Sequence, residues 1–209
     1  MITRERVRAS LAPHPGGEAD DRLWIEGATP EILARMRGAL PARRTPAAVL
    51  VPLVERETGL AVLLTQRAAT LKDHAGQISF PGGRIESEDA SAWHAALRES
   101  REEIGLEPSY VEFAGYMPDH MVITGFRVTP VVGFVDPNYR LSLDSAEVHD
   151  AFEVPLEFIL DSANHKQRAR VLGDMTFNVR DIPYGERNIW GATANMLMTL
   201  RQLLGAHSS

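Results

Sequence analysis

Polar and apolar positions separate most sharply between residues 90 and 104. Trp93, Leu97, Ser100 and Ile104 fall in one helical sector, and Glu99, Glu102 and Glu103 in another. A step of about 100° per residue produces that separation, so the pattern predicts an amphipathic helix with an oily side and an acidic side. Asp89 is its candidate N-cap. Residues 47–54 form a continuous apolar run and read as a buried strand, and residues 60–66, apolar as far as Leu64, read as its hairpin partner across a turn containing Gly59. Residues 111–116 and 126–135 are further strand candidates, separated by a loop with Pro and Gly. Residues 155–160 predict a short helix, 170–179 a hairpin turning near Gly173-Asp174, and 188–204 a C-terminal helix. Strands flanked by helices without regular βα alternation predict an α/β sandwich.

Upstream, residues 3–11 and 29–40 predict two short helices, with Pro30 in the first turn of the second. Pro13, Pro15, Gly16 and Gly17 mark the loop between them. Residues 1–46 therefore read as a partly helical N-terminal extension, and 47–209 as the main domain. The basic cluster Arg35, Arg37, Arg43 and Arg44 reads as a solvated helix end and linker rather than a binding patch.

Composition narrows the function classes. The 209 residues are 44% hydrophobic, enough for one well-packed domain. A formal net charge of −6 argues against nucleic-acid or anionic-membrane partners recruited by overall electrostatics. It leaves room for a nucleotide substrate carried with a divalent cation. The absence of cysteine removes disulfides, thiolate metal sites and a cysteine nucleophile, and suits a reducing compartment. The first residues lack the apolar core of a signal peptide, and no apolar run approaches a membrane-spanning length of about 20 residues. Cytoplasm is the expected compartment. The HExxH, Walker, GxGxxG and GxSxG patterns do not occur.

Three glutamates on one helix repel one another, by roughly 4 kcal/mol for a pair 4 Å apart at an effective dielectric of 20. A hard divalent cation such as Mg²⁺ converts that repulsion into attraction. The plainer reading is a solvated acidic face paired with Arg98 and Arg101, since such patterns are common. The neighbouring residues decide in favour of the metal. Residues 82–106 read GGRIESEDASAWHAALRESREEIGL and resemble the Nudix box. That pattern is Gly, five residues, Glu, seven residues, then Arg-Glu-aliphatic-any-Glu-Glu-any-Gly-aliphatic. Arg98, Glu99, Glu102, Glu103, Gly105 and Leu106 match it in register. The chain departs where Asp89 replaces the first Glu, where the interval to Arg98 is one residue longer, and where Ser100 replaces an aliphatic residue. Asp89 is expected to act as a cap more than as a metal ligand.

Upstream, Leu63-Leu64-Thr65-Gln66-Arg67-Ala68 and the stretch from Leu71 to Gly83 resemble the motif of the coenzyme A pyrophosphatases within the Nudix superfamily. Lys72 stands where that subfamily usually has Arg, keeping the charge and losing the bidentate fork. The resemblance continues weakly at residues 151–156 and 189–194.

This resemblance implies a Nudix α/β/α sandwich with a mixed sheet. It further implies metal-dependent hydrolysis of the diphosphate of coenzyme A or its thioesters. Glu99, Glu102 and Glu103 would hold Mg²⁺ or Mn²⁺, and Arg98 would orient a metal-binding glutamate. Arg67 and Lys72 are candidate phosphate partners. Gln77 either contacts substrate or braces its loop, and Phe80 packs. Gly82 and Gly83 would turn the backbone tightly beneath the helix. Nudix enzymes draw the general base from a box glutamate or from an acid on a later loop. Glu147 is the loop candidate, and a surface acid in a polar turn is its other reading. His74 and His149 read as structural. The expected partner is a coenzyme A-like nucleotide, with ADP-ribose or another nucleoside diphosphate derivative as the alternative, and a non-catalytic nucleotide sensor as a further one. Relatives of this kind can form homodimers.

Overall fold

The apolar run after residue 44 forms β1 (Thr45–Arg56) and is buried on both faces. Ala47, Val51 and Leu53 enter one core, and Ala48, Leu50 and Val54 enter another. Side chains alternate along a strand, so a strand covered on both sides reads as unbroken hydrophobicity. The computed structural model describes residues 2–13, 44–71, 74–122, 125–172 and 175–205. β2 (Gly59–Arg67) returns antiparallel, with Leu53 opposite Val62 and Arg56 opposite Gly59. β7 (Phe126–Val135) flanks β1 on the other side in parallel, in register from Thr45↔Phe126 to Val54↔Val135. β5 (Val111–Tyr116) and β6 (His120–Met121) pair antiparallel with β7, and β8 (Val148–Pro155) pairs antiparallel with β2.

β1 and β2 part company toward one end, and this fork positions the site. At residues 47–49 the partner of β1 is β4 (Gly82–Arg84), while β2 pairs at residues 65–66 with β3 (Ile78–Ser79). The segment between them bridges the gap: Leu50 N–H donates to Pro81 O at 2.9 Å and Arg67 N–H to Gln77 O at 2.9 Å. The expected loop over 67–83 therefore contains β3 and runs into β4. Its strands are too short to show a period.

Helix α2 (Ala92–Ile104) covers one face of the sheet, where Ala92, Ala95, Ala96 and Ile104 meet Ala48, Leu50, Val54 and Leu63. The opposite face carries α3 (Leu156–Leu160), α4 (Gly191–Leu203) and a small sheet of β9 (Lys166–Leu172), β10 (Met175–Tyr184) and β11 (Arg187–Trp190). Ile182, Ile189, Leu197 and Leu200 fill that side. The result is the α/β sandwich with a mixed sheet.

Several expectations need correction. Ser91, not Asp89, caps α2, and its hydroxyl accepts from His94 N–H. Asp89 is committed to Arg98 instead. The buried stripe of α2 keeps Ser100 and Ile104 but is otherwise alanine (Ala92, Ala95, Ala96), with Trp93 and Leu97 only half-buried. The C-terminal helix begins at Gly191, because residues 188–190 extend β11. The first predicted helix is α1 (Arg4–Ala9), capped by the Thr3 hydroxyl. The helix expected over 29–40, the cations Arg35, Arg37 and Arg43, and the turn at Gly173-Asp174 lie outside the described residues.

Candidate active site

The fork in the sheet and the C-terminal half of α2 face each other. Glu103 is the innermost of the three glutamates: its side chain is only 5% exposed, and Oε2 accepts the Gly82 N–H at 3.1 Å. Burial is the main reason its carboxyl is pushed up to about 7. Nearby Glu99 and Glu147 push in the same direction, while the Gly82 bond and Arg67 oppose them. Glu99 is raised too, chiefly by burial, with Glu102 and Glu147 adding repulsion and Arg98 resisting. Glu102 points outward and is 59% exposed. The glutamates share a helical sector but differ in depth, so they do not form the solvated acidic face of the plainer reading. The ladder runs from solvent at Glu102 inward to Glu103.

Gly82 and Gly83 were expected in a tight turn and are instead the start of strand β4, opposite Val49 and Ala48. The need for glycine is steric. A Cβ on Gly83 would lie 2.5 Å from the Glu99 carboxyl carbon and 2.6 Å from both its oxygens. A Cβ on Gly82 would meet Ala48 O at 2.3 Å.

Arg98 ties the ladder to the preceding loop. Its Nε and Nη2 grip both oxygens of Asp89 at 3.1 and 2.9 Å, and Nη2 also donates to Arg84 O. Nη1 bridges Glu99 at 2.9 Å and Glu102 at 3.0 Å. This holds the Asp89 carboxyl below its ordinary range and raises Arg98 above its own.

Arg67, at the end of β2, places Nη1 3.8 Å from Glu103, and its buried Nε has no hydrogen-bond partner. Gln77 pairs through Oε1 with the exposed His74 ring at 3.0 Å, consistent with bracing the loop. Phe80 is buried in the core, and His149 is exposed. Lys72 lies outside the described residues. Glu147 stands at the turn into β8, where its carbonyl accepts the Ala68 N–H at 2.8 Å beside Arg67. The structure thus brings Arg67, Glu99, Glu103 and Glu147 to one place. Asp89, which the sequence offered as a cap, and Asp144, which it did not single out, are also tied to it. Asp89 has the right chemistry and the wrong expected task. Asp144 lies two residues before Ala146, a spacing that signals an Asx turn.

Among the described residues, no three His, Cys, Asp or Glu side chains already converge as a metal cage. The donor chemistry nevertheless fits a hard divalent cation. Carboxylate oxygens of Glu99 and Glu103 stand close enough for Glu99 to raise Glu103, while Glu102 and Glu147 raise Glu99, and a cation would relieve that repulsion. Arg98 now supplies the positive charge between Glu99 and Glu102.

Comparison with known proteins agrees with this geometry. The NUDIX domain family model matches residues 44–174. A protein described as an uncharacterized Nudix hydrolase, NudL, from Citrobacter koseri is 40% identical over 162 residues, covering 78% of this chain and 84% of the relative. A protein of the same description from Salmonella paratyphi B is 42% identical over 160 residues, covering 76% and 82% respectively. The fold also matches the crystal structure of a MutT/nudix family protein from Enterococcus faecalis, with a TM-score of 0.51 at 16% identity over 86% of this chain and 74% of the other. A sheet forked around paired glycines, a glutamate ladder on the covering helix and close relatives over most of the chain lead to one assignment: the protein belongs to the Nudix family and is a Nudix hydrolase.

Proposed function

We propose that this enzyme hydrolyses the diphosphate bond of coenzyme A or its thioesters. The products would be 4′-phosphopantetheine, or its acyl form, and adenosine 3′,5′-bisphosphate. The observation carrying the substrate class is the segment from Leu63 to Gly83, which resembles the coenzyme A pyrophosphatase motif. In the fold this segment becomes the fork itself, with Arg67 beside Glu103 and Gly82 bonded to it. Residues 47–209 form the catalytic body in this reading, with 1–46 as its extension.

Glu99, Glu102 and Glu103 would hold Mg²⁺ or Mn²⁺, which would neutralise diphosphate charge and lower the pKa of a nucleophilic water. Arg98 orients Glu99 and Glu102. Arg67 offers its unpartnered Nε edge to a phosphate oxygen, a charge-assisted bond of the strong kind. Lys72 and Gln77 complete the substrate loop. Gly82 and Gly83 bring backbone close to the ladder. Water attacks one phosphorus, a new P–O bond forms, and the bridging P–O bond breaks. The leaving oxygen departs with the second phosphate, and the water's proton passes to Glu147. Placement and charge neutralisation supply most of the rate in such transfers.

The test is incubation of pure protein with coenzyme A and Mn²⁺ or Mg²⁺, followed by separation of products. Appearance of adenosine 3′,5′-bisphosphate is expected. Inert coenzyme A beside brisk cleavage of ADP-ribose would replace the substrate and keep the family.

A further inference from the structure

We infer that Asp144 is a positioning residue that fixes Glu147 against the glutamate ladder by locking its loop to the end of α2. The inference rests on the reading of Glu147 as general base. The last carbonyls of any helix lack intrahelical donors. Here the loop after β7 supplies them: Ser142 N–H donates to Ile104 O and Asp144 N–H to Glu103 O, both at 2.9 Å. Helix α2 ends at Gly105 in the left-handed region, with φ of 66°. A Cβ there would stand 2.8 Å from Ser142 N, so the glycine lets the loop close on the helix.

Asp144 then reverses the chain. Its carbonyl accepts the N–H of Glu147 at 3.0 Å and of Val148 at 2.8 Å, and its Oδ1 accepts the Ala146 N–H at 2.9 Å. Beyond the turn, the Glu147 carbonyl binds Ala68 N–H, and Val148 enters β8 opposite Arg67. One exposed residue is therefore bonded on one side to the backbone of a ladder glutamate and on the other to the backbone of Glu147. The side-chain bond to Ala146 holds the bend between them. Buried Glu103 and the base are set in a common frame without touching.

Asp144→Ala keeps the backbone bonds and deletes the Oδ1 acceptor, whereas Asp144→Asn retains an acceptor at that atom. We expect Asp144→Ala to lower kcat about tenfold with KM little changed, as a base displaced by a fraction of an ångström would. Asp144→Asn should recover most of that loss. Glu147→Gln should lose about 100-fold or more. The double variant Asp144→Ala/Glu147→Gln should be no slower than Glu147→Gln alone, because residues acting as one unit are not additive. Wild-type kcat in Asp144→Ala, or an additive double variant, would overturn the positioning role while leaving the base in place. Failure of asparagine to improve on alanine would do the same. Near-normal turnover by Glu147→Gln would remove the base reading and this inference together.

Discussion

Glu103 shows how a single residue trades stability for chemistry. It is a buried carboxylate whose folded-state value lies near 7, above the ordinary 4.5. Between those two values the folded protein holds more protons than the unfolded chain. Metal-free stability therefore falls as pH rises through this window, and above pH 7 the full cost is present. A carboxyl displaced that far costs about 3 kcal/mol to ionise in place. Glu103→Gln removes the charge and keeps an acceptor for Gly82 N–H. It is expected to stabilise the metal-free protein by about 3 kcal/mol at pH 8 and by little at pH 5, while abolishing turnover. Urea unfolding of both proteins at the two pH values, with chelator present, checks this. Equal gains at both pH values would contradict the electrostatic cause. His120 contributes a slope of the opposite sign, since burial lowers it to about 4. The comparison is therefore made between variant and wild type at each pH.

At the scale of elements, β4 does two jobs that its two glycines separate. Gly82 faces backbone: a methyl there would strike Ala48 O and lie 2.6 Å from Val49 Cα, neither of which can yield without moving β1. The three atoms nearest a methyl on Gly83 all belong to the Glu99 carboxylate, the far end of a side chain that can swing aside. Gly82→Ala is expected to destabilise the fold by roughly 3 kcal/mol, in the range of overpacked cores. Gly83→Ala should unfold within about 1 kcal/mol of wild type yet lose about 100-fold in kcat, because Glu99 is displaced. Melting curves and turnover measured on the same preparations separate the two. These elements also mark where the sequence was readable. Long segments were: β5, β7 and α2 lie close to the spans their periodicity predicts. β3 and β4 were not, since two or three residues carry no period. β8 escaped because its residues 150–153 are all partly covered, so its pattern never alternates cleanly. β11 was absorbed into the following helix because Ile189 and Trp190 continue the apolar spacing of α4. At the site, glutamate spacing was legible but depth was not. Which member is buried depends on the fork opposite, made by residues far along the chain. Asp89 and Ser91 both have capping chemistry, and only the guanidinium of Arg98 decides between them.

Across the whole molecule, residues 2–12 tie the two ends of the chain together at the edge away from the fork. Val7 is fully buried, and Ala12 exchanges two backbone hydrogen bonds with Tyr116 at 3.0 and 2.8 Å, covering the free edge of β5. An uncovered strand edge is an invitation to mispairing. Arg6 Nε and Nη2 reach Leu204 O at 3.1 and 2.7 Å, so a cation sits on the negative end of α4. Arg4 and Arg8 lie over the Phe134 ring, 4.4 and 5.3 Å from its centre, and both pair with Glu112. These surface pairs add little individually. The buried valine and the bonds at the β5 edge and helix end add more, together roughly 4 kcal/mol. For a chain of this size that corresponds to a drop of roughly 10 °C in Tm. Removal of residues 1–12 is therefore expected to lower Tm by about that much and to promote association through the exposed β5 edge. Turnover at 20 °C should stay within about twofold, because none of the contacts of the described residues 2–12 given above reaches Glu99, Glu103 or Glu147. Calorimetry, light scattering and steady-state kinetics on the truncated protein test all three. A truncated enzyme that melts like the full chain would show that the strap merely rests on the sheet, whereas one that stays folded at 20 °C but loses its activity would place the extension within reach of the substrate.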